Sequence, residues 1–447
     1  MQLMARVVSI VFLVSVGVVP LSSGISTSAA YAAVLDPSTV KSATLHNGLV
    51  VIVCEDTTAA VVSIEVVARV GSADEPAEIG GVAHLLEHLC WVGAGASDPR
   101  AAIEEVGGVT NAGTLRDYTR FYATVPASDF RLALRSLAEM VVNGSFQQEV
   151  VDRERAVILE EVAVRRDQPR VLMNDLTFQE LFGDNHPYGR PIEGSERSLR
   201  QIDESKLIAF HHNWYVPNNM AVVIAGKVDF ETALRDVASA FGGMLPQATP
   251  PHQRPTVAQP AEAKERTVPT VHNQAYVTAA FVGPMASERT EVCASDLLAV
   301  LLAEGSFGRL PTELLERRRL VKNIEVDFLT QRDRAAFAVW AICDENRIPE
   351  VKEAICAELR RLAAEPSSPR ELATAKRLIY AGYAFANETP SDRAATLAFY
   401  EAIDSYRAGT RYLARINALT SADIMKVASW FAGAPVWIVL RPYGGVP

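Results

Sequence analysis

Gly81-Val82-Ala83-His84-Leu85-Leu86-Glu87-His88 is the stretch on which the reading of this chain turns. It lies in a segment, Gly80 to Trp91, with helical periodicity. His84, Glu87 and His88 fall at i, i+3 and i+4, so on a helix they share one face. Two imidazoles one turn apart can grip one metal ion, and zinc suits imidazole and carboxylate ligands in four-coordinate geometry. The neighbours Val82, Ala83, Leu85, Leu86 and Leu89 are apolar or small, so polar side chains buried among them need partners. With 8 His in the chain, a His-x-x-Glu-His arises by chance on the order of once per hundred such sequences.

A catalytic zinc site takes three protein ligands and leaves a place for water. The best candidate for the third is Glu161, in Glu154-Arg155-Ala156-Val157-Ile158-Leu159-Glu160-Glu161. Glu154 and Glu161 stand two helical turns apart and face the same way. Glu161 can coordinate the metal, and Glu154 can hold a ligand His by hydrogen bond.

Outward from this stretch, the first half opens with Val/Ile-rich strands, Leu49 to Cys54 and Val61 to Val70. A further strand runs from Thr119 to Val125, helical segments span Phe130 to Val142 and Phe146 to Val164, and Met220 to Ala225 reads as a buried strand. The second half echoes this order. Ala275 to Val282, Val326 to Leu329, Ala335 to Ile342 and Val436 to Leu440 read as strands; Cys293 to Leu302, Val351 to Ala364 and Leu372 to Ala386 read as helices. Without strict alternation of strand and helix, this is an α+β pattern, and the echo suggests an ancient duplication. Pro246 to Pro269 holds six prolines and reads as an extended linker, 246–269, between residues 33–245 and 270–447.

Residues 1–32 are a different kind of sequence: Arg6, an apolar run from Val7 to Val19, then Ala30-Tyr31-Ala32. They read as a signal peptide cut before Ala33, which predicts export to the periplasm or medium and no stable membrane span after processing. The formal net charge of −10 leaves no basic footprint for nucleic acid. The five cysteines, Cys54, Cys90, Cys293, Cys343 and Cys356, are odd in number and lack zinc-knuckle spacing. They read as small core residues. His186-Pro187-Tyr188-Gly189 reads as a packed loop, and His211-His212 as surface rather than ligand.

The chain resembles the peptidase family of pitrilysin, insulinase and mitochondrial processing peptidase. The matching segments, in the family's order, are Asn47-Gly48-Leu49, Gly71-Ser72-Ala73-Asp74-Glu75-Pro76, Gly81 to His88, and Gly107-Gly108-Val109-Thr110-Asn111-Ala112. Arg153-Glu154 to Glu161, His186-Pro187-Tyr188-Gly189 and Tyr215-Val216-Pro217-Asn218-Asn219-Met220 follow. The resemblance is specific over residues 40–230 and diffuse from 270 to 447. It implies two homologous α+β domains, each a mainly antiparallel sheet packed with helices. Four such domains, from one or two chains, enclose a chamber where peptides are cut. It makes His84, His88 and Glu161 the zinc ligands, Glu87 the general base and Glu154 a supporting carboxylate, matching the reading from spacing. It makes Asn111, Ala112, Gly113 and Thr114 an exposed strand edge that pairs with the substrate backbone.

The expected function is therefore that of a zinc-dependent endopeptidase acting on peptides or unfolded segments, in which Glu87 takes a proton from water. A non-catalytic structural or binding subunit of the same fold is the alternative; the intact Glu87 argues against it. One departure bears on partners. Active single-subunit members carry an Arg and a Tyr in the second half that hold the substrate carbonyl. Here Leu315 takes the place of the Arg and Lys322 that of the Tyr; a shift brings in one of Arg317 to Arg319 but supplies no Tyr. The resemblance thus implies the zinc-carrying chain of a two-chain type, with a homologous partner supplying Arg and Tyr in a heterodimer, or a homodimer.

Overall fold

The computed structural model describes residues 35–92, 98–144, 146–252 and 254–443. The leader read at 1–32 lies outside them. Two domains each carry a mixed sheet packed with helices. The first sheet is built from β1 (Val40–Thr44), β2 (Val50–Glu55), β3 (Val61–Ala68), β4 (Val109–Thr114), β5 (Thr119–Pro126) and β6 (Met220–Gly226), in the order β1-β2-β6-β3-β5-β4. The second is built from β7 (Lys264–Thr270), β8 (Ala275–Val282), β9 (Val321–Leu329), β10 (Ala336–Cys343) and β11 (Val436–Pro442), in the order β7-β11-β8-β10-β9.

Setting β1 aside, the two sheets are the same object. β2 pairs parallel with β6, and β7 parallel with β11. Every other pairing within the two sets is antiparallel. The duplication suggested by the sequence is thus visible as topology. It also corrects one expectation. Lys264 to Pro269, read as part of the linker, is the second sheet's counterpart of β2. Pro269 is tolerated because β7 is an edge strand, where a missing N–H leaves no ladder bond broken.

The strands read as continuous apolar runs because both faces of each sheet are covered. In β2 and β6, Val51, Val53, Val222 and Ile224 face one core while Ile52, Cys54, Val223 and Ala225 face another. The first core is closed by helices of the same half, α1 (Val82–Val92), α2 (Phe130–Val142) and α3 (Gln148–Arg166). The next helix, α4 (Pro169–Phe182), leaves its own sheet and packs Met173, Leu176, Leu181 and Phe182 against β8, β10 and β11. In the second half, α5 (Arg289–Ala303), α6 (Ile348–Ala364) and α9 (Ser421–Phe431) pack together beside their own sheet, α7 (Pro369–Phe385) lies on α5, and α8 (Pro390–Ile403) crosses to cover β3 and β6. Each half therefore lends one helix to the other's sheet, and neither sheet can bury both faces alone.

That exchange buries charge as well. Glu65, on the α8 face of β3, is wholly inaccessible, and its carboxylate meets the Arg120 guanidinium of β5. Cys54, Cys90, Cys293 and Cys343 are buried, Cys356 is half-buried, and none is paired. Among the described residues no helix is long and apolar enough to cross a membrane.

Candidate metal centre

α1 carries the histidines, and three features fix where it starts. Gly81 has φ +94°, and a Cβ there would meet the Glu193 carbonyl oxygen at 2.5 Å, so only glycine turns the chain at this point. Leu85 N–H donates to the Gly81 carbonyl at 2.9 Å, opening the helix. Glu75, itself buried, accepts from the backbone N–H of Gly81 and of Ala83, each at 2.8 Å. A carboxylate on the unpaired N–H groups of a helix start satisfies donors that would otherwise be orphaned. Sequence reading placed Glu75 in a matching segment but gave it no role, because its partners lie six and eight residues downstream. Glu75→Ala is expected to cost about 1–3 kcal/mol for each donor left unpaired. Thermal unfolding of the variant beside Glu75→Gln, which keeps one acceptor, checks this.

Val82, Leu85, Leu86 and Leu89 turn into the core and leave His84, Glu87 and His88 together on the other side. α3 faces them. Ile158 packs in the same core, so Glu154 and Glu161 project from one side of α3 toward α1. His84 Nε2 lies 4.0 Å from Glu161 Oε2. His88 Nδ1 lies 3.4 Å from Glu154 Oε2, which leaves Nε2 of that ring for another partner. The two imidazoles stand edge to face with centroids 4.8 Å apart. One ligand atom from each of His84, His88 and Glu161 lies within 4.8 Å of the others.

These residues fit a zinc ion. Two imidazoles and a carboxylate converge on one point, and among the described residues no other group of three such ligands does. Burial, with His88 and Arg165 nearby, pushes the His84 imidazole down to about 3, so it is neutral, the form that binds metal. Its Nδ1 is buried with no hydrogen-bond partner.

Two further contacts shape the site. Thr114 Oγ1 donates to Glu87 Oε2 at 2.8 Å, and burial pushes the Glu87 carboxyl up to about 7. Thr114 ends β4, the outermost strand of its sheet, which pairs with β5 alone. Asn111, Ala112, Gly113 and Thr114 are all half-buried on this edge. Arg165 on α3 reaches Glu161 Oε1 at 3.6 Å and is also paired with Glu193. The i, i+4 spacing of Glu161 and Arg165 was available in the sequence; Glu193, from a distant loop, carried no local signal.

The other singled-out residues lie elsewhere. His186 caps the turn Pro187–Gly189, accepting from Tyr188 N–H at 3.0 Å. His212 is exposed, but His211, read as surface, turns inward to the Val141 carbonyl at 2.8 Å and stacks on Tyr215. Cys90 points into the core. Lys322 pairs with Asp344 at 2.7 Å, Arg317 with Glu313 and Arg318 with Glu350 at 3.6 Å, all within the second domain, and Leu315 is exposed.

Comparison with known proteins identifies the family and the fold. Residues 50–196 match the model of insulinase, peptidase family M16, and residues 201–379 match the family's inactive domain. The chain belongs to peptidase family M16. An uncharacterized zinc protease of Mycobacterium tuberculosis is 31% identical over 375 residues, 82% of this chain and 84% of that one. Another, of Streptomyces coelicolor, is 30% identical over 347 residues, 75% of each chain. A protease from Helicobacter pylori has the same fold, with TM-score 0.82, 23% identity and coverage of 90% of this chain and 99% of that one. The chain is thus similar to zinc proteases along most of its length.

Proposed function

We propose that this chain is a zinc-dependent endopeptidase of unfolded or extended peptides, exported from the cell and active beside a homologous partner. The observation that carries the reading is the meeting of three things at one place: the His84, His88 and Glu161 cluster, the Glu87 carboxyl, and the outer edge of β4. A bound zinc would supply polarisation of a water and of the scissile carbonyl. His84, His88 and Glu161 would hold it. Glu87 accepts the proton of the attacking water and returns it to the leaving amine, and the Thr114 hydroxyl keeps that carboxylate aimed. Glu154 orients His88 through Nδ1. An extended peptide adds to β4 as a further strand, its backbone bonding to Asn111, Ala112 and Gly113. Pairing of that kind needs an exposed backbone, so folded proteins are poor substrates.

Two results check this reading. Glu154→Ala is expected to weaken zinc binding about 10–100-fold with all three ligands intact, measured by competition with a chelating dye. A quenched peptide N-methylated beside its cut is expected to be cleaved far more slowly than its parent, because it lacks a donor that the edge pairing uses. Equal rates for the two peptides would overturn the edge-strand mode. The proposed export rests on residues 1–32, and mass spectrometry of the mature N-terminus tests it, Ala33 being the expected first residue.

A further inference from the structure

A cavity of about 1080 Å³, its open mouth included, lies in the second domain between α5, α7, α8 and β9. It is separate from the metal centre. Its one residue from the first sheet is Arg120, which stands with Glu65 on the α8 face, whereas Glu87 and Thr114 lie on the α1 side.

The walls are aromatic and the charge is negative. The rings of Tyr383 and Tyr412 have centroids 5.0 Å apart, Tyr400 and Tyr412 6.5 Å, and Phe399 and Tyr400 5.2 Å, so four rings follow one another around the cavity. Asp296 lines it and accepts a hydrogen bond from the Tyr412 hydroxyl at 2.8 Å. Among the described residues no Lys, Arg or His reaches the Asp296 carboxylate. Arg415, on the same side, donates instead to the Ala408 carbonyl, and Arg120 is held by Glu65. Glu304 adds a second carboxyl to the lining. Asn387 is 3% exposed; its amide nitrogen donates to the Tyr383 carbonyl, while Oδ1 has no partner.

A carboxylate with no cationic partner, an unpaired amide oxygen and a run of tyrosine faces in one chamber share a complement. That complement is a positive charge bearing N–H donors on an apolar body. The ring faces attract a cation through their quadrupoles. Asp296 is half-buried; a carboxylate drawn partly out of water without a counter-charge is costly, and a cation beside it offsets that cost. Desolvation pushes the Asp296 carboxyl up to about 7, against the lowering effect of the Tyr412 hydroxyl.

We propose that this cavity binds an organic ammonium ion on an aromatic or apolar stem, its head taken by Asp296 and Asn387 Oδ1 and its stem by the tyrosine rings. A free arylalkylamine and the basic side chain of a peptide offer the same chemistry.

The test is calorimetric titration of the full chain with phenethylamine, with its neutral isostere 2-phenylethanol, and with an acetylated, amidated Phe-Lys-Phe peptide. Phenethylamine or the peptide is expected to bind saturably, the tighter of the two naming the source, with 2-phenylethanol weaker by about tenfold or more. Asp296→Asn keeps an acceptor for Tyr412 and is expected to remove that preference while leaving 2-phenylethanol unchanged. Ala299→Phe, which fills the cavity, is expected to abolish binding of every probe with zinc content unaltered. Equal affinity for amine and alcohol, an unchanged preference in Asp296→Asn, or no saturable binding of amine or peptide would each overturn the proposal.

Discussion

Glu87→Gln is expected to hold about one zinc per chain and to cut peptides about 10²–10⁴-fold more slowly than the parent protein. The two halves of that result have separate causes. Gln is the size of Glu and keeps an oxygen to accept from Thr114, so α1 and the edge of β4 keep their contact. The ligand cluster is His84, His88 and Glu161, which the substitution leaves alone. What is lost, on the proposed mechanism, is the carboxylate that accepts a proton from the attacking water. Metal content by atomic emission and peptide turnover on one preparation measure both halves. Loss of metal from this variant, with retention in Glu161→Ala, would exchange the roles assigned to the two carboxylates.

The second large effect concerns the carbonyl oxygen of the substrate, which gains negative charge as water adds. A homologous chain carrying an Arg and a Tyr is expected to raise hydrolysis by about 10²–10³-fold for each donor it supplies, with zinc content constant. This chain offers little for that task. Leu315 donates nothing, and Lys322 is already paired with Asp344 in the second domain. Activity against partner concentration gives the measure, with a partner whose Arg and Tyr are replaced by Ala and Phe as control. Full activity in a partner-free preparation, lost in Lys322→Ala, would sink the two-chain reading.

The parts of this fold that were legible in the sequence are those whose cause is local. Short apolar runs gave β2, β3, β5, β6, β8, β10 and β11, and the Val326 to Leu329 end of β9, since both faces of each sheet are buried. The ligand-bearing faces of α1 and α3 followed from residues three, four and seven apart. What stayed hidden depends on where elements meet. Nothing along Pro169–Phe182 or Pro390–Ile403 says that each helix covers the other half's sheet. The start of α8 did carry a signal, Thr389 with Asp392 as a capping box and Pro390 in its first turn, but its small residues blur the apolar stripe. β7 was masked by its prolines, which an edge position tolerates. At the site, His84, His88, Glu87, Glu154 and Glu161 were readable from helical spacing. The Glu75 cap and the Arg165–Glu193 brace on Glu161 were not, because they join α1 and α3 to loops.

The most direct test of the central claim is the zinc content of purified mature protein beside His84→Ala, His88→Ala and Glu161→Ala, each verified as folded by circular dichroism. The account predicts about one zinc per chain in the parent and little in any of the three variants. Zinc at full occupancy in all three, or a metal-free parent that still cleaves peptides, would contradict it.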